Sequence, residues 1–108
     1  MPLLMGLLAV AVLGAAPAEA ADPLGEARRL YNQGQYDTAA RYAREAVQVP
    51  ATAESARLVL GRIHLERYRR TADMADLTEA REALRAVNAA VLNRDERVEL
   101  SIGIGQFL

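Results

Sequence analysis

The stretch LYNQGQYDTAARYAREAV, residues 30–47, carries small side chains where a helix usually presents large ones to its neighbours. Gly34 interrupts a helix-forming run, and alanines then recur at Ala39, Ala43 and Ala46. A bulky side chain at these positions would hold two helix backbones apart beyond the roughly 8 to 10 Å that helix packing uses. The stretch therefore predicts a tight helical hairpin in which each helix contacts two neighbours.

Helix signals continue through the rest of the chain, and the sequence has no sustained strand-like alternation. Capping residues predict where the helices begin. The predicted starts are Asp22-Pro23, Asp37, Thr52, the capping-box pair Asp76 and Glu79, and the capping-box pair Asn93 and Glu96. This pattern predicts an all-α protein with five helices that are joined by short loops and run alternately antiparallel.

An internal repeat relates these helices to one another. A small residue followed three places later by a larger one occurs in the pairs Ala27/Leu30, Gly61/His64 and Gly105/Leu108. Gly61 follows Ala27 by 34 residues, which is the period of the tetratricopeptide repeat (TPR). Gly105 follows Gly61 by 44 residues, and the excess predicts an extended helix and a longer hairpin turn between His64 and Ala80.

The opening stretch resembles the TPR family in the spacing of its small and aromatic residues. The matching residues are Gly34, Tyr36, Ala39, Ala46 and Pro50. Ala43 departs from the pattern, because the family carries a large aromatic residue there. The resemblance implies a right-handed α-solenoid of antiparallel helix hairpins, with about two and a half TPR units at residues 21–50, 52–92 and 93–108.

Residues 1–20 predict a secretory signal peptide. The segment is apolar over residues 3–16 and ends in the small-residue site Ala18-Glu19-Ala20, which favours cleavage after Ala20. The apolar run of about 14 residues is shorter than the roughly 20 that a membrane-spanning helix needs, so a retained anchor is the weaker alternative. We therefore expect a periplasmic or secreted protein whose helical domain occupies residues 21–108.

The last residues, VELSIGIGQFL at 98–108, follow an apolar helix pattern without a stop signal. This pattern predicts that the chain is the N-terminal fragment of a longer exported bacterial repeat protein. The outer apolar face of the fifth helix, including Ile104 and Leu108, has no following helix to cover it. Self-association through this face is therefore also expected.

The charge balance disfavours several classes of partner. All 13 basic residues are arginine, and the 14 acids include Glu19 in the signal segment, so the mature chain is close to neutral. A neutral chain has no steering field for nucleic acid or for an anionic membrane. Because cysteine is absent, no disulfide forms in an oxidising compartment.

No catalytic or metal-binding constellation is predicted. His64 is the only histidine, and its neighbours at helical spacing include no acid and no metal ligand, so we interpret it as a packing residue. The run ERYRR, residues 66–70, is interpreted as a solvated helix face with an ion pair between Glu66 and Arg70. Four closely spaced acids are interpreted as helix-start and surface residues: Asp73, Asp76, Glu79 and Glu82. We expect a non-enzymatic protein without a cofactor.

The TPR resemblance implies an interaction function instead. In this family the first helix of each pair lines a concave groove in which an extended peptide or a partner helix docks. On each of these first helices, the side that faces away from the repeat contacts is predicted to carry the partner-binding residues. They are Arg28, Tyr31 and Asn32 on the first helix, Arg62 and Glu66 on the third, and Glu99, Ile102 and Gln106 on the fifth.

The chemistry of the partner is less defined. Some TPR proteins hold a peptide's terminal carboxylate with lysines, and this chain has no lysine. Attraction of an acidic peptide by Arg28 and Arg62 is a separate hypothesis. Two further functions stay open: the chain is part of a larger exported repeat protein whose function lies downstream, or it is a periplasmic transport subunit that binds a small ligand in a closed apolar cavity.

Overall fold

The computed structural model describes residues 22–107. The predictions of a signal peptide over residues 1–20 and of a contact at Leu108 fall outside the described residues. Within residues 22–107 the protein is all-α, as predicted, with five α-helices, one short 3₁₀ helix and no strand. The elements are α1 Pro23–Asn32, α2 Tyr36–Val47, α3 Ala53–Thr71, α4 Met74–Ala86, the 3₁₀ helix Ala89–Val91, and α5 Arg94–Gly105.

Three of the predicted helix starts are confirmed, at Asp22, Thr52 and Asn93, and two of them have a side-chain capping bond. The Asp22 carboxylate accepts a hydrogen bond from the Gly25 backbone amide at 3.0 Å, at the start of α1. At the start of α5, the Asn93 side chain accepts from the Glu96 amide at 2.9 Å, and the Glu96 carboxylate accepts from the Asn93 amide at 3.1 Å. This reciprocal pair is the capping box, which satisfies two of the amides that a helix start leaves free.

The predicted cap of α2 is wrong, whereas the predicted start of α3 at Thr52 is confirmed without the expected capping hydrogen bond. α2 begins at Tyr36, one residue before Asp37, and its N-cap residue Gln35 makes no side-chain capping bond. Thr52 occupies the N-cap position of α3, but its hydroxyl donates to the Ala46 carbonyl at 2.7 Å. Thr52 therefore ties the end of α2 to the start of α3 and does not cap a helix amide.

The predicted start of α4 is also wrong. α4 begins at Met74, and its N-cap is Asp73, whose carboxylate accepts from the Ala75 amide at 2.9 Å. The turn that precedes it contains only residues 72 and 73, so the longer hairpin turn expected here is absent. Ala72 makes this tight reversal with a left-handed φ of 57°. The extra length of the second unit lies in α3, which has 19 residues, and in the connection from α4 to α5.

The small residues of the opening stretch are fully enclosed. Ala39, Ala43 and Ala46 on α2 are each 0% exposed. α2 packs against both α1 and α3, so each of these alanines lies where a neighbouring helix comes close. Tight contact on two sides therefore explains why the buried side chains of α2 are small.

Two apolar clusters hold the helices together. The first joins α1, α2 and α3 through Ala27, Leu30, Ala39, Ala40, Ala43, Val59 and Ile63. The second joins α3, α4 and α5 through Leu58, Leu84, Leu92 and Leu100. Each helix packs on the next along the chain, and α3 also contacts both α1 and α5. One side of α1, α3 and α5 is thereby brought onto a shared surface.

The repeat glycines have different surroundings. A Cβ on Gly61 would lie 2.5 Å from the Leu84 side chain, so α3 and α4 approach closely there. The expected equivalent contact at Gly105 is absent, because a Cβ there would meet nothing within 4 Å. Gly103 packs inward in its place, against Leu84 and Arg62. Separately, no helix in the described part of the chain is long and apolar enough to cross a membrane.

Candidate functional site

A partly open cavity of about 420 Å³ lies on the surface shared by α1, α3 and α5. It is called the groove below and is defined by Arg28, Tyr31, Asn32, Val59, Arg62, Glu99 and Ile102. α1 supplies the first three residues, α3 the next two and α5 the last two. Three helices that are separated in sequence therefore contribute side chains to one concavity.

The structure brings together six of the eight residues predicted from the sequence. Glu66 does not line the groove, but its charge acts on Tyr31 at the edge. Gln106 does not line it either and is the C-cap of α5. The shared surface thus includes all three residues predicted on α1, one of the two predicted on α3 and two of the three predicted on α5.

The two groove arginines both lie beside acids of α5. The Arg28 guanidinium donates to the Glu96 carboxylate at 2.9 Å. Arg62 lies 3.8 Å from the Glu99 carboxylate, which is a looser ion pair. These acids already neutralise much of the positive charge that was expected to attract an acidic peptide. Arg62 has the longer contact with its acid, and its side chain also lies beside Tyr31.

Glu96 is the buried end of this charge arrangement. Burial of the carboxyl group raises its pKa. The opposing effects are stronger: hydrogen bonds from Ser55, the Asn93 amide and Arg28, and the positive charge of Arg28. The pKa therefore lies below its ordinary value of 4.5. The carboxylate is therefore ionised at neutral pH. It bonds to Arg28 on α1 and lies beside Ser55 on α3, so the three helices that line the groove all meet this carboxylate.

Tyr31 forms the polar wall of the groove on α1. Burial raises the pKa of its phenol above 10.0; the nearby Arg62 lowers the pKa, and the Glu66 charge raises it. The phenol therefore stays protonated at neutral pH and can both donate and accept a hydrogen bond. Its ring lies 5.6 Å from the Tyr36 ring, which supports it from behind.

Two residues of the candidate site, Val59 and Glu96, were not predicted from the sequence. Val59 forms the apolar floor of the groove and is 5% exposed. Its position three residues before Arg62 on the same helix was the available signal. Glu96 was interpreted only as a capping residue, although its spacing from Glu99 places both acids on one side of α5.

A second polar arrangement lies away from the groove, and it corrects the interpretation of His64. The His64 ring nitrogen Nδ1 lies 2.8 Å from the Asp76 carboxylate, and both residues are buried. Arg67 Nε lies 3.4 Å from the same carboxylate. His64 does have an acid partner, which comes from α4 and not from its own helix. Asp76 is consequently a buried partner and not a capping residue.

The surface of α3 near this arrangement also differs from the expectation. Glu66 pairs with Arg69 at 2.7 Å and not with Arg70. The Arg70 guanidinium instead stacks 4.7 Å from the centre of the Tyr36 ring. Arg67 reaches Asp37 at 3.4 Å, so Arg67 and Arg70 are both directed towards α2.

The described residues contain no group of three or more histidine, cysteine, aspartate or glutamate side chains arranged to hold a metal ion. The buried side-chain polar atoms of residues 22–107 all have hydrogen-bond partners. Comparison of the chain with protein-family models, with curated proteins and with solved structures found no match. The groove is therefore interpreted from its own chemistry.

Proposed function

We propose that this chain is a non-enzymatic protein-interaction module that binds a peptide or a partner helix in the groove. The proposal rests on one observation: α1, α3 and α5 place side chains around a single cavity of about 420 Å³. We interpret the helix hairpins as TPR-like units of a right-handed α-solenoid. In such an arrangement the first helix of each pair lines the concave surface.

The lining suits the main chain and mixed side chains of a peptide. Tyr31, Asn32 and Arg62 offer hydrogen-bond donors, and peptide carbonyl groups accept them. Val59 and Ile102 supply apolar surface between these polar groups. Tyrosine and arginine also provide large contact areas, and both are frequent at interaction hot spots.

The internal ion pairs affect which peptide fits. Arg28 and Arg62 are opposed by Glu96 and Glu99, so a strongly acidic ligand would have to compete with carboxylates of the protein itself. We therefore favour a peptide of mixed character over a purely acidic one. From the sequence, we also propose export to the periplasm or the exterior, since residues 1–20 have the features of a signal peptide.

The test is selection of binding peptides from a random displayed library on the full chain, followed by affinity measurements with groove variants. Asn32→Ala and Arg62→Ala should each weaken a selected peptide roughly tenfold, as loss of an interface contact of about 1.4 kcal/mol would do. Arg44→Ala and Arg85→Ala are matched controls, because both arginines are exposed on α2 and α4 outside the groove lining. The controls should leave the affinity unchanged.

Either of two results would contradict the proposal. One is a library from which no peptide binds reproducibly. The other is a set of selected peptides whose affinity is unchanged by both groove variants and reduced by a control variant. Circular dichroism of each variant shows whether the fold is retained, so a lost interaction can be separated from a lost structure.

A further inference from the structure

A second surface with the properties of a packing face lies on the outside of α5, next to the groove, with which it shares Ile102. Val98 and Ile102 are each 52% exposed, although they are large apolar residues. Gly105 follows on the same face at helical spacing, and a Cβ there would meet nothing within 4 Å. The outer stripe, defined as Val98, Ser101, Ile102 and Gly105, faces away from the inward-packed Leu100 and Gly103.

The internal repeat indicates what kind of element covers such a stripe. Aligning Gly105 with Gly61 aligns Ile102 with Leu58. In α3, Leu58 is fully buried, and Gly61 lies against the Leu84 side chain of α4. The same face is thus covered by a helix in the preceding unit. The outer stripe is shaped for close approach of another helix.

We propose that this helix is α5 of a second copy of the chain, packed antiparallel about a two-fold axis between Ser101 and Ile102. In that arrangement Val98 of each copy lies opposite Gly105 of the other, and Ser101 lies opposite Ile102. Each contact therefore pairs a large residue with a small one. A two-fold interface requires this self-complementarity, because the same patch must fit itself.

Charge complementarity favours the antiparallel second copy. Arg94 is the first residue of α5, where the positive end of the helix dipole disfavours a cation. The last turn of α5 carries no basic residue to face its carbonyl end. An antiparallel partner brings Arg94 of one copy beside the carbonyl end of the other. The position that is unfavourable within one copy becomes favourable in the pair.

The expected association is weak, since one pair of short helices buries less than the roughly 1,200 Å² typical of stable interfaces. Sedimentation equilibrium of the full chain should give a mass that rises from one copy towards two copies across the micromolar range. Gly105→Val should keep the protein at one copy throughout. The added side chain meets nothing within its own copy, so circular dichroism and the melting temperature should show that the fold is retained.

Two further variants make the test specific. Glu82→Val places a valine at an exposed site on α4, outside the outer stripe, and should leave the dimer intact. Val98→Ala combined with Gly105→Val returns space opposite the new valine and should restore part of the association. Such a rescue distinguishes antiparallel pairing through the outer stripe from a general loss of apolar contact.

Several results would overturn the proposal. They are a mass of one copy at every wild-type concentration, a dimer that persists in Gly105→Val, and growth beyond two copies, which indicates an open contact between unlike patches. Association through residues 1–20 would be unaffected by Gly105→Val and would therefore also count against it.

Discussion

Arg28 on α1 donates a hydrogen bond to Glu96 at the start of α5, and the 2.9 Å contact spans 68 residues of sequence. Because Glu96 also caps α5 and accepts from Ser55 on α3, one carboxylate links the three helices that line the groove. The geometry of the groove thus depends on a buried acid that was not among the predicted binding residues.

The first prediction concerns this link. Glu96→Gln should lower the free energy of unfolding by about 1 to 2 kcal/mol, because it removes a charge-assisted bond while keeping the shape of the side chain. Glutamine can still complete the capping box, so the loss reports mainly on the charge. Urea unfolding measures it, with exposed Glu82→Gln as the control. Equal stability of Glu96→Gln and the wild type would show that the link contributes little.

The second prediction concerns acid. The pKa of Glu54 lies below 4.5, chiefly because its carboxylate accepts a hydrogen bond from the Asn88 amide at 2.7 Å. Burial opposes this shift but does not outweigh it. The pKa of Glu96 is also lowered. In the unfolded chain these groups return to about their ordinary values, so that state binds protons first as the pH falls. The stability that they supply is present above about pH 4.5 and is lost below it.

Urea unfolding at a series of pH values tests this second prediction. The free energy of unfolding of the wild type should fall as the pH decreases through and below 4.5. A variant with both Glu54→Gln and Glu96→Gln should be less stable at neutral pH and should lose less stability on acidification. A double variant with the same pH dependence as the wild type would contradict the assignment.

The third prediction concerns the small residues of α2. Ala39→Leu should destabilise the protein by roughly 1 to 3 kcal/mol or more, since overpacking forces neighbouring helices apart. Glu45→Leu on the exposed side of the same helix is the control and should have little effect. A thermal melt of Ala39→Leu that matches the wild type would mean that α2 is not held tightly on both sides.

The fourth prediction concerns the turn between α3 and α4. Ala72 has a φ of 57°, a left-handed conformation that costs a non-glycine residue roughly 1 kcal/mol. Ala72→Gly should therefore raise the free energy of unfolding by a similar amount, less the entropy cost of glycine in the unfolded chain. Ala75→Gly, inside α4, should have the opposite effect. A lower stability of Ala72→Gly would contradict this account of the turn.

The all-α class and the groove side of three helices could be predicted because helical periodicity and small-residue spacing act locally. Arg28, Tyr31 and Asn32 share one side of α1 by helical geometry alone. Whether that side meets α5 depends on how three helices pack. The repeat led to the expectation that these three helices share a surface, and the cavity is lined by residues of all three.

The misassigned residues share a physical cause. Asp37, Thr52 and Asp76 all have side chains that can cap a helix, so local rules assigned each of them to a helix start. Contacts between helices determined the actual partners of these side chains: Asp37 faces Arg67, Thr52 bonds to α2, and Asp76 meets His64. Helical spacing on α3 reveals only the neighbours of His64 on the same helix. Its acid partner Asp76 lies on α4 and contacts it across the hairpin.

We propose above that α1, α3 and α5 together form a peptide-binding surface. The most direct measurement is a titration of the isotope-labelled full chain with a selected peptide, followed by amide NMR. We expect shift changes concentrated at Tyr31, Asn32, Arg62 and Ile102, with little change along the exposed sides of α2 and α4. Changes confined to α2 and α4, with unchanged signals around the groove, would contradict it.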